Sequence, residues 1–348
     1  MNDSALNELV GQRLVIGFEG QELSPDLESL LLTVRPGGII LFKRNVGGGP
    51  KQTAGLIAAC QDLARSEFGR PLLVAVDQEG GPVTRLGPPF TQLPSQRRMA
   101  RTMSRDQVRA LAETSGRELA AIGVNLNLTP VLDLAAESAS SFMSERSFGD
   151  DPGLASTLGL ALIDGHAAQG VLTCAKHFPG LGSARLDPHH DLPTLELPAV
   201  RLAEHDFVPF RQAINHGVAA VMTTHVLVPA LDPAGPATFS RIIATDILRD
   251  RLGFQGLILT DDLEMGAVVK HYRPGPAAVL AARAGHDLLL VCRRPDLILA
   301  AREALLEAAA PGDLARRRWE ESAERIASAR ARIEFPSAPA LKEVFDLA

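Results

Sequence analysis

One short stretch, Lys176-His177-Phe178-Pro179-Gly180-Leu181-Gly182 followed by Asp187-Pro188-His189-His190-Asp191, gathers the densest ionisable and turn-forming chemistry of the chain. Lysine and histidine at the end of an apolar run are costly to bury without partners, so core packing alone does not account for them. Four further positions offer reactive groups after apolar runs: Asp77-Gln78-Glu79, Asp133, His225 and Asp261-Asp262. Asp261 is a candidate nucleophile, because a carboxylate can attack an electrophilic carbon and leave again as a stable anion. Asp262 is the competing choice, and since neighbours on a strand face opposite ways, one of the pair should face the site while the other bonds to backbone or caps a helix. His189, whose unperturbed pKa is about 6.5, can donate and accept a proton, with Asp187 orienting its ring. Asp77, Arg85, Arg146, Lys176 and His177 supply the donors and acceptors needed to grip a polyhydroxylated ligand. Each of these residues has a plain structural reading as well: ion-paired strand ends, surface arginines, solvated loop histidines and, for Asp133, a buttress for the basic groups.

The elements that must hold these groups are legible as repeats. Eight apolar runs, Leu14 to Phe18, Gly38 to Phe42, Leu72 to Val76, Val124 to Leu128, Val171 to Ala175, Ala219 to Met222, Leu257 to Leu259 and Leu288 to Val291, read as strands covered on both faces. Helical stretches separate them. Ser24-Pro25, Ser104 with Gln107 and Asp151-Pro152 are helix starts. Eight strand-helix repeats predict a (β/α)8 TIM barrel, in which reactive groups project from the C-terminal ends of the strands. Five strands end in titratable groups, and their coincidence on one rim favours a functional over a structural reading. An open doubly wound sheet gives similar local signals, but no Gly-x-Gly-x-x-Gly follows the first strand.

The chain has 348 residues, 46% of them apolar and 22% charged, and no composition break, which predicts one domain with a barrel over about 10–300 and C-terminal helices over about 296–348 that pack on the outside. A net charge of -6 with dispersed Lys and Arg gives no nucleic-acid footprint. No apolar stretch reaches the roughly 18 residues of a membrane span. The acidic N-terminus lacks the basic start of a secretory signal, which predicts a cytoplasmic protein. Cys60, Cys174 and Cys292 are odd in number and set among apolar residues, as buried thiols are.

Five motifs in order, Asp77-Gln78-Glu79-Gly80-Gly81, Arg146-Ser147-Phe148-Gly149, Lys176 to Gly180, Asp187-Pro188-His189 and Thr260 to Met265, carry a resemblance to the family 3 glycoside hydrolases, specifically their compact bacterial β-N-acetylglucosaminidases. The likeness covers residues 10 to 300. It implies a retaining mechanism with Asp261 as nucleophile, the Asp187-His189 dyad as acid and base, and Asp77, Arg85, Arg146, Lys176 and His177 holding the terminal sugar. It implies no cofactor or metal, and a muropeptide fragment of cell-wall recycling as substrate. A histidine replaces the usual second carboxylate. Being neutral beside the intermediate, it would let phosphate compete with water, giving a phosphorylase.

Three positions depart from the family pattern: Leu181 where His is usual, Pro188 where Ser or Thr is usual, and Pro82 where Arg is common. Pro188 should stiffen the loop that delivers His189 and favour an extended Asp187. These departures motivate a weakened, sugar-binding barrel as an alternative. A β-glucosidase or β-xylosidase is another, disfavoured because the larger relatives with those activities carry a second domain. A metal-dependent hydrolase built on His177, His189, His225 and Asp261 is disfavoured by the poor chelating geometry of adjacent His189-His190. Oligomeric state is not legible.

Overall fold

The eight apolar runs do form strands, and they close on themselves. In a computed structural model, which describes residues 3–136, 142–309, 315–333 and 341–345, the strands are β1 (Leu14–Ile16), β2 (Gly38–Leu41), β3 (Leu73–Val76), β4 (Leu126–Asn127), β5 (Leu172–Phe178), β6 (Ala220–Thr223), β9 (Leu257–Asp262) and β10 (Leu288–Val291). All pair in parallel in the closed order β1-β10-β9-β6-β5-β4-β3-β2. This is the expected (β/α)8 TIM barrel. The loop after β6 carries a small hairpin, β7 (Leu227–Val228) with β8 (Asp232–Pro236), that the sequence reading did not anticipate, since Asp-Pro-Ala-Gly-Pro lacks every strand signal.

Side-chain alternation explains how the barrel both packs and reacts. Val15, Ile40, Leu73, Ala75, Leu126, Leu172, Cys174, Leu257, Leu259, Leu288 and Leu290 point inward and form one apolar cluster. Their neighbours Leu14, Ile16, Ile39, Leu41, Val74 and Val76 point outward and pack beneath the surrounding helices. Adding two residues to three of the inward columns gives Asp77, Lys176 and Asp261, so the polar site is the top layer of the same interior.

The anticipated helix starts are present. Ser24 Oγ accepts from Leu27 N at 3.3 Å, Ser104 and Gln107 form a reciprocal capping box, and Asp151 Oδ1 accepts from Gly153 N and Leu154 N at 2.7 and 3.2 Å.

The C-terminal segment differs from expectation. Helix Ala315–Ala331 does not simply lie outside: Ile326, Ala329 and Ile333 join the cluster that lines the barrel. Without them the lowest inward layer would face water, which is the physical reason the helix sits across the N-terminal mouth. It is fixed there by Arg325 Nε on Asp287 Oδ1 at 2.8 Å, by Arg330 Nη2 on Gly37 O at 3.1 Å, and by the Arg13 guanidinium 4.3 Å above the Trp319 ring. Residues 310–314, 334–340 and 346–348 of this segment lie outside the described residues. No helix among the described residues is long and apolar enough to cross a membrane.

Candidate active site

At the C-terminal mouth the barrel opens into a cavity of about 330 Å³. Asp77, Arg85, Arg146, Lys176, His177, Asp187, His189 and Asp261 all line it, so the candidate nucleophile, the acid-base pair and the candidate sugar-binding residues share one cavity. Glu79 lines it too, a member of the first motif to which the sequence reading assigned no role. Glu79 lies three residues past the end of β3, at the start of the turn in which its amide donates to Val83 O at 3.0 Å, where strand alternation gives no signal.

These groups form a charge network in which each member needs the others. Lys176, almost fully buried, places Nζ 2.8 Å from Asp77 Oδ1 and 2.6 Å from Glu79 Oε1. Arg146 grips Glu79 with two bonds, Nε to Oε2 at 2.9 Å and Nη2 to Oε1 at 2.8 Å. Arg85 Nη2 donates to Asp77 Oδ2 at 3.1 Å. Burial by itself would raise both carboxylates, but Lys176, with Arg85 beside Asp77 and Arg146 beside Glu79, outweighs it, holding Asp77 well below the usual range and Glu79 at about 2. Within this network three cations, Arg85, Arg146 and Lys176, face two anions, Asp77 and Glu79.

Asp133 holds the loop end of β5. One carboxylate oxygen accepts from His177 Nδ1 at 2.6 Å and His177 N at 3.1 Å, and the other accepts from Leu181 N at 2.6 Å. The buttressing role read for it is the one its contacts describe. Leu181, in place of a polar residue, is buried in an apolar cluster with Phe178, Leu195 and Val226. Pro82 is exposed in the tight turn in which Gly80 N donates to Val83 O at 3.1 Å, with Gly80 and Gly81 at φ 104 and 56. Arg85 reaches Asp77 regardless.

Asp261 and Asp262 both line the cavity, but their carboxylates are engaged differently. Leu257 and Leu259 face inward, and Asp261 continues that column, its Oδ1 accepting from Asp262 N at 2.8 Å and its Oδ2 left free of the backbone. Asp262 Oδ1 instead accepts from Glu264 N at 3.0 Å and Cys292 N at 3.2 Å, fastening the β9 and β10 loops together. Burial pushes its carboxyl up to about 7.

His189 Nδ1 lies 2.7 Å from Asp187 Oδ1, which also accepts the His189 amide at 2.9 Å. Burial would raise Asp187, yet the amide and ring of His189 more than offset it and keep this carboxyl lowered. Nε2 is therefore the ring nitrogen left to exchange a proton with a ligand. Pro188 sits at the second position of the turn closed by His190 N on Asp187 O at 2.9 Å, a place that suits its fixed φ.

His225 does not line the cavity. Its two ring nitrogens are engaged by Asp262 O at 2.9 Å and Thr238 Oγ1 at 2.8 Å, which leaves neither for a metal. No group of three His, Cys, Asp or Glu among the described residues could hold a metal ion. His166 and His286 are likewise buried with both nitrogens bonded, and burial lowers each to about 4. Because these folded values lie below the unfolded value of about 6.5, the unfolded chain takes up protons first, and stability is lost as pH falls from 6.5 to 4. Asp77 and Glu79, also lowered, act in the same direction at lower pH, contributing stability above the ordinary carboxylate range and losing it as pH falls from about 4 towards 2. Stability should thus decline steadily between pH 6.5 and 4, by up to roughly 3 kcal/mol per histidine at pH 4, and the thermal midpoint should fall with it. A flat profile over that interval would show that the histidines are not held neutral.

Comparison with known proteins follows the same lines. Residues 5–329 match the Glycosyl hydrolase family 3 N terminal domain. A β-hexosaminidase of Chromobacterium violaceum is 40% identical over 281 residues, spanning 79% of this chain and 76% of the relative. The solved glycoside hydrolase family 3 β-N-acetylglucosaminidase of Paenibacillus sp. str. FPU-7 superposes with a TM-score of 0.90 at 37% identity, covering 98% of this chain and 67% of that one. A β-N-acetylhexosaminidase of Beutenbergia cavernae DSM 12333 superposes with a TM-score of 0.87 at 31% identity, over 94% of this chain and 98% of its own.

Proposed function

The chain belongs to glycosyl hydrolase family 3 and is a glycoside hydrolase, and from that premise we propose that it is a retaining β-N-acetylhexosaminidase that removes terminal N-acetylglucosamine from β-linked glycosides. The observation that carries this reading is the shared cavity, where Asp261, the Asp187-His189 pair and the Asp77–Glu79–Arg85–Arg146–Lys176–His177 network meet. The relatives' names, β-hexosaminidase and β-N-acetylglucosaminidase, supply the sugar.

In this mechanism the network and His177 hold the sugar's hydroxyl and acetamido groups with its anomeric carbon over β9. Asp261 Oδ2 attacks that carbon while the protonated His189 donates from Nε2 to the departing glycosidic oxygen, so one C–O bond forms as the other breaks. The now neutral imidazole then takes a proton from water, whose oxygen displaces Asp261 and restores both residues. Asp187 stabilises the imidazolium at each stage. The entire chain acts as one catalytic domain, with the terminal helix as the floor of the barrel. Its natural substrate is a peptidoglycan fragment met in the cytoplasm during cell-wall recycling, a reading that rests on the family likeness.

Incubation with a fluorinated N-acetylglucosaminyl donor, followed by mass spectrometry of peptides, tests nucleophile and sugar together. An adduct on Asp261 is expected. Labelling of another residue would reassign the nucleophile, and labelling by the glucosyl but not the N-acetylglucosaminyl donor would reassign the sugar.

A further inference from the structure

The dyad loop is not only near the nucleophile strand; it is docked on the chain that leaves it. Helix Gly266–Val269 begins four residues after Asp262 with no side-chain cap. Its first amides are satisfied by the loop instead: Ala267 N donates to Pro188 O at 3.0 Å, and Gly266 N to His189 O at 3.3 Å. A Cβ at Gly266 would lie 2.6 Å from the carbonyl oxygens of both His189 and His190, so the contact exists only because residue 266 is glycine. A second attachment lies outside the cavity lining. Asp191 Oδ1 meets His271 Nε2 at 2.7 Å and its Oδ2 meets Lys270 Nζ at 3.3 Å, two residues beyond His189 and one turn beyond the helix start.

We propose that Asp191, clasped by His271 and Lys270, is a positioning residue that keeps the loop seated on Gly266 and so keeps His189 within reach of the same glycoside that Asp261 attacks. This rests on the reading of His189 as the acid and base. The backbone contacts alone are two bonds, one of them long. A carboxylate held by two side chains from the turn that ends helix Gly266–Val269 fixes the loop beyond His189 and stops it from peeling away. All three side chains are about half exposed, at 41%, 45% and 55%, so the clasp is modest in strength. An exposed tie of this kind changes a seated population by about fivefold at most.

The discriminating measurement is kcat/KM for phenyl and for 2,4-dinitrophenyl β-N-acetylglucosaminide, taken for the unaltered protein, Asp191→Asn, Gly266→Ala and His189→Ala. Phenol departs poorly without a proton, whereas dinitrophenol departs without one. Asp191→Asn should lower the phenyl value by about fivefold and hardly change the dinitrophenyl value, with unaltered thermal midpoints. Gly266→Ala, which forces the two backbones apart, should give the same selectivity at a larger magnitude. Equal losses on both substrates in Asp191→Asn and Gly266→Ala, or no loss in either, would overturn the proposal while leaving His189 its role. If His189→Ala itself fails to discriminate between the substrates, the acid-base reading falls and the positioning proposal with it.

Discussion

Asp261→Asn is expected to lower kcat/KM for an aryl β-N-acetylglucosaminide by about 10⁴-fold or more, with the thermal midpoint close to that of the unaltered protein. The loss is large because an amide is a feeble nucleophile and cannot later depart as a stable anion, so both halves of the reaction fail. The fold should tolerate the change, since the asparagine Oδ1 can still accept from Asp262 N as the carboxylate Oδ1 does. Steady-state kinetics with the melt measured in parallel checks both statements. Residual activity above a tenth of normal would remove Asp261 from the mechanism.

The second large effect belongs to His189. His189→Ala should reduce kcat/KM for phenyl β-N-acetylglucosaminide by about 10²- to 10⁴-fold, the usual range for a lost general acid, while the dinitrophenyl glycoside retains most of its value. Deglycosylation would still be slow, because no base remains to activate water. Added azide, which needs no deprotonation, should restore turnover and yield the β-configured N-acetylglucosaminyl azide, its nitrogen bonding to the anomeric carbon as Asp261 departs. An α-configured azide would contradict a double displacement, and the absence of any azide product would contradict a stalled covalent intermediate. The side chain is 63% exposed, so its removal leaves no buried gap to confuse kinetics with misfolding.

How far the sequence reveals all this depends on the kind of signal each element carries. Strands β1 to β6, β9 and β10 are legible because they are buried on both faces, and burial writes itself as unbroken Val, Ile and Leu. Their ends are less so: β5 runs on to Phe178 and β9 to Asp262, where polar residues continue the strand geometry after the apolar run has stopped. Glu79 escaped notice as a site residue because it lies past the end of β3, in a turn whose course no strand periodicity encodes. The hairpin of β7 and β8 left no trace, since its strands contain two prolines and a glycine and depend on a register set by neighbouring loops. His225 read as reactive because its position matches the rim, but the side chain turns to Asp262 O and Thr238. Which way a lone histidine turns is decided by tertiary partners, and no periodicity encodes them. The departures at Leu181, Pro188 and Pro82 find local explanations: one packs into an apolar cluster, one occupies a turn position suited to its ring, and one lies exposed in a glycine turn.

The helix Ala315–Ala331 and its anchors on Asp287 and Gly37 sit at the end of the barrel opposite the reactive rim. Part of the packing that closes the barrel is therefore written in a stretch of sequence remote from the rim residues. An engineer could harden the floor, by tightening the packing of Ile326 and Ala329 or enriching the arginine ties around Asp287, and still hand the catalytic face to selection untouched.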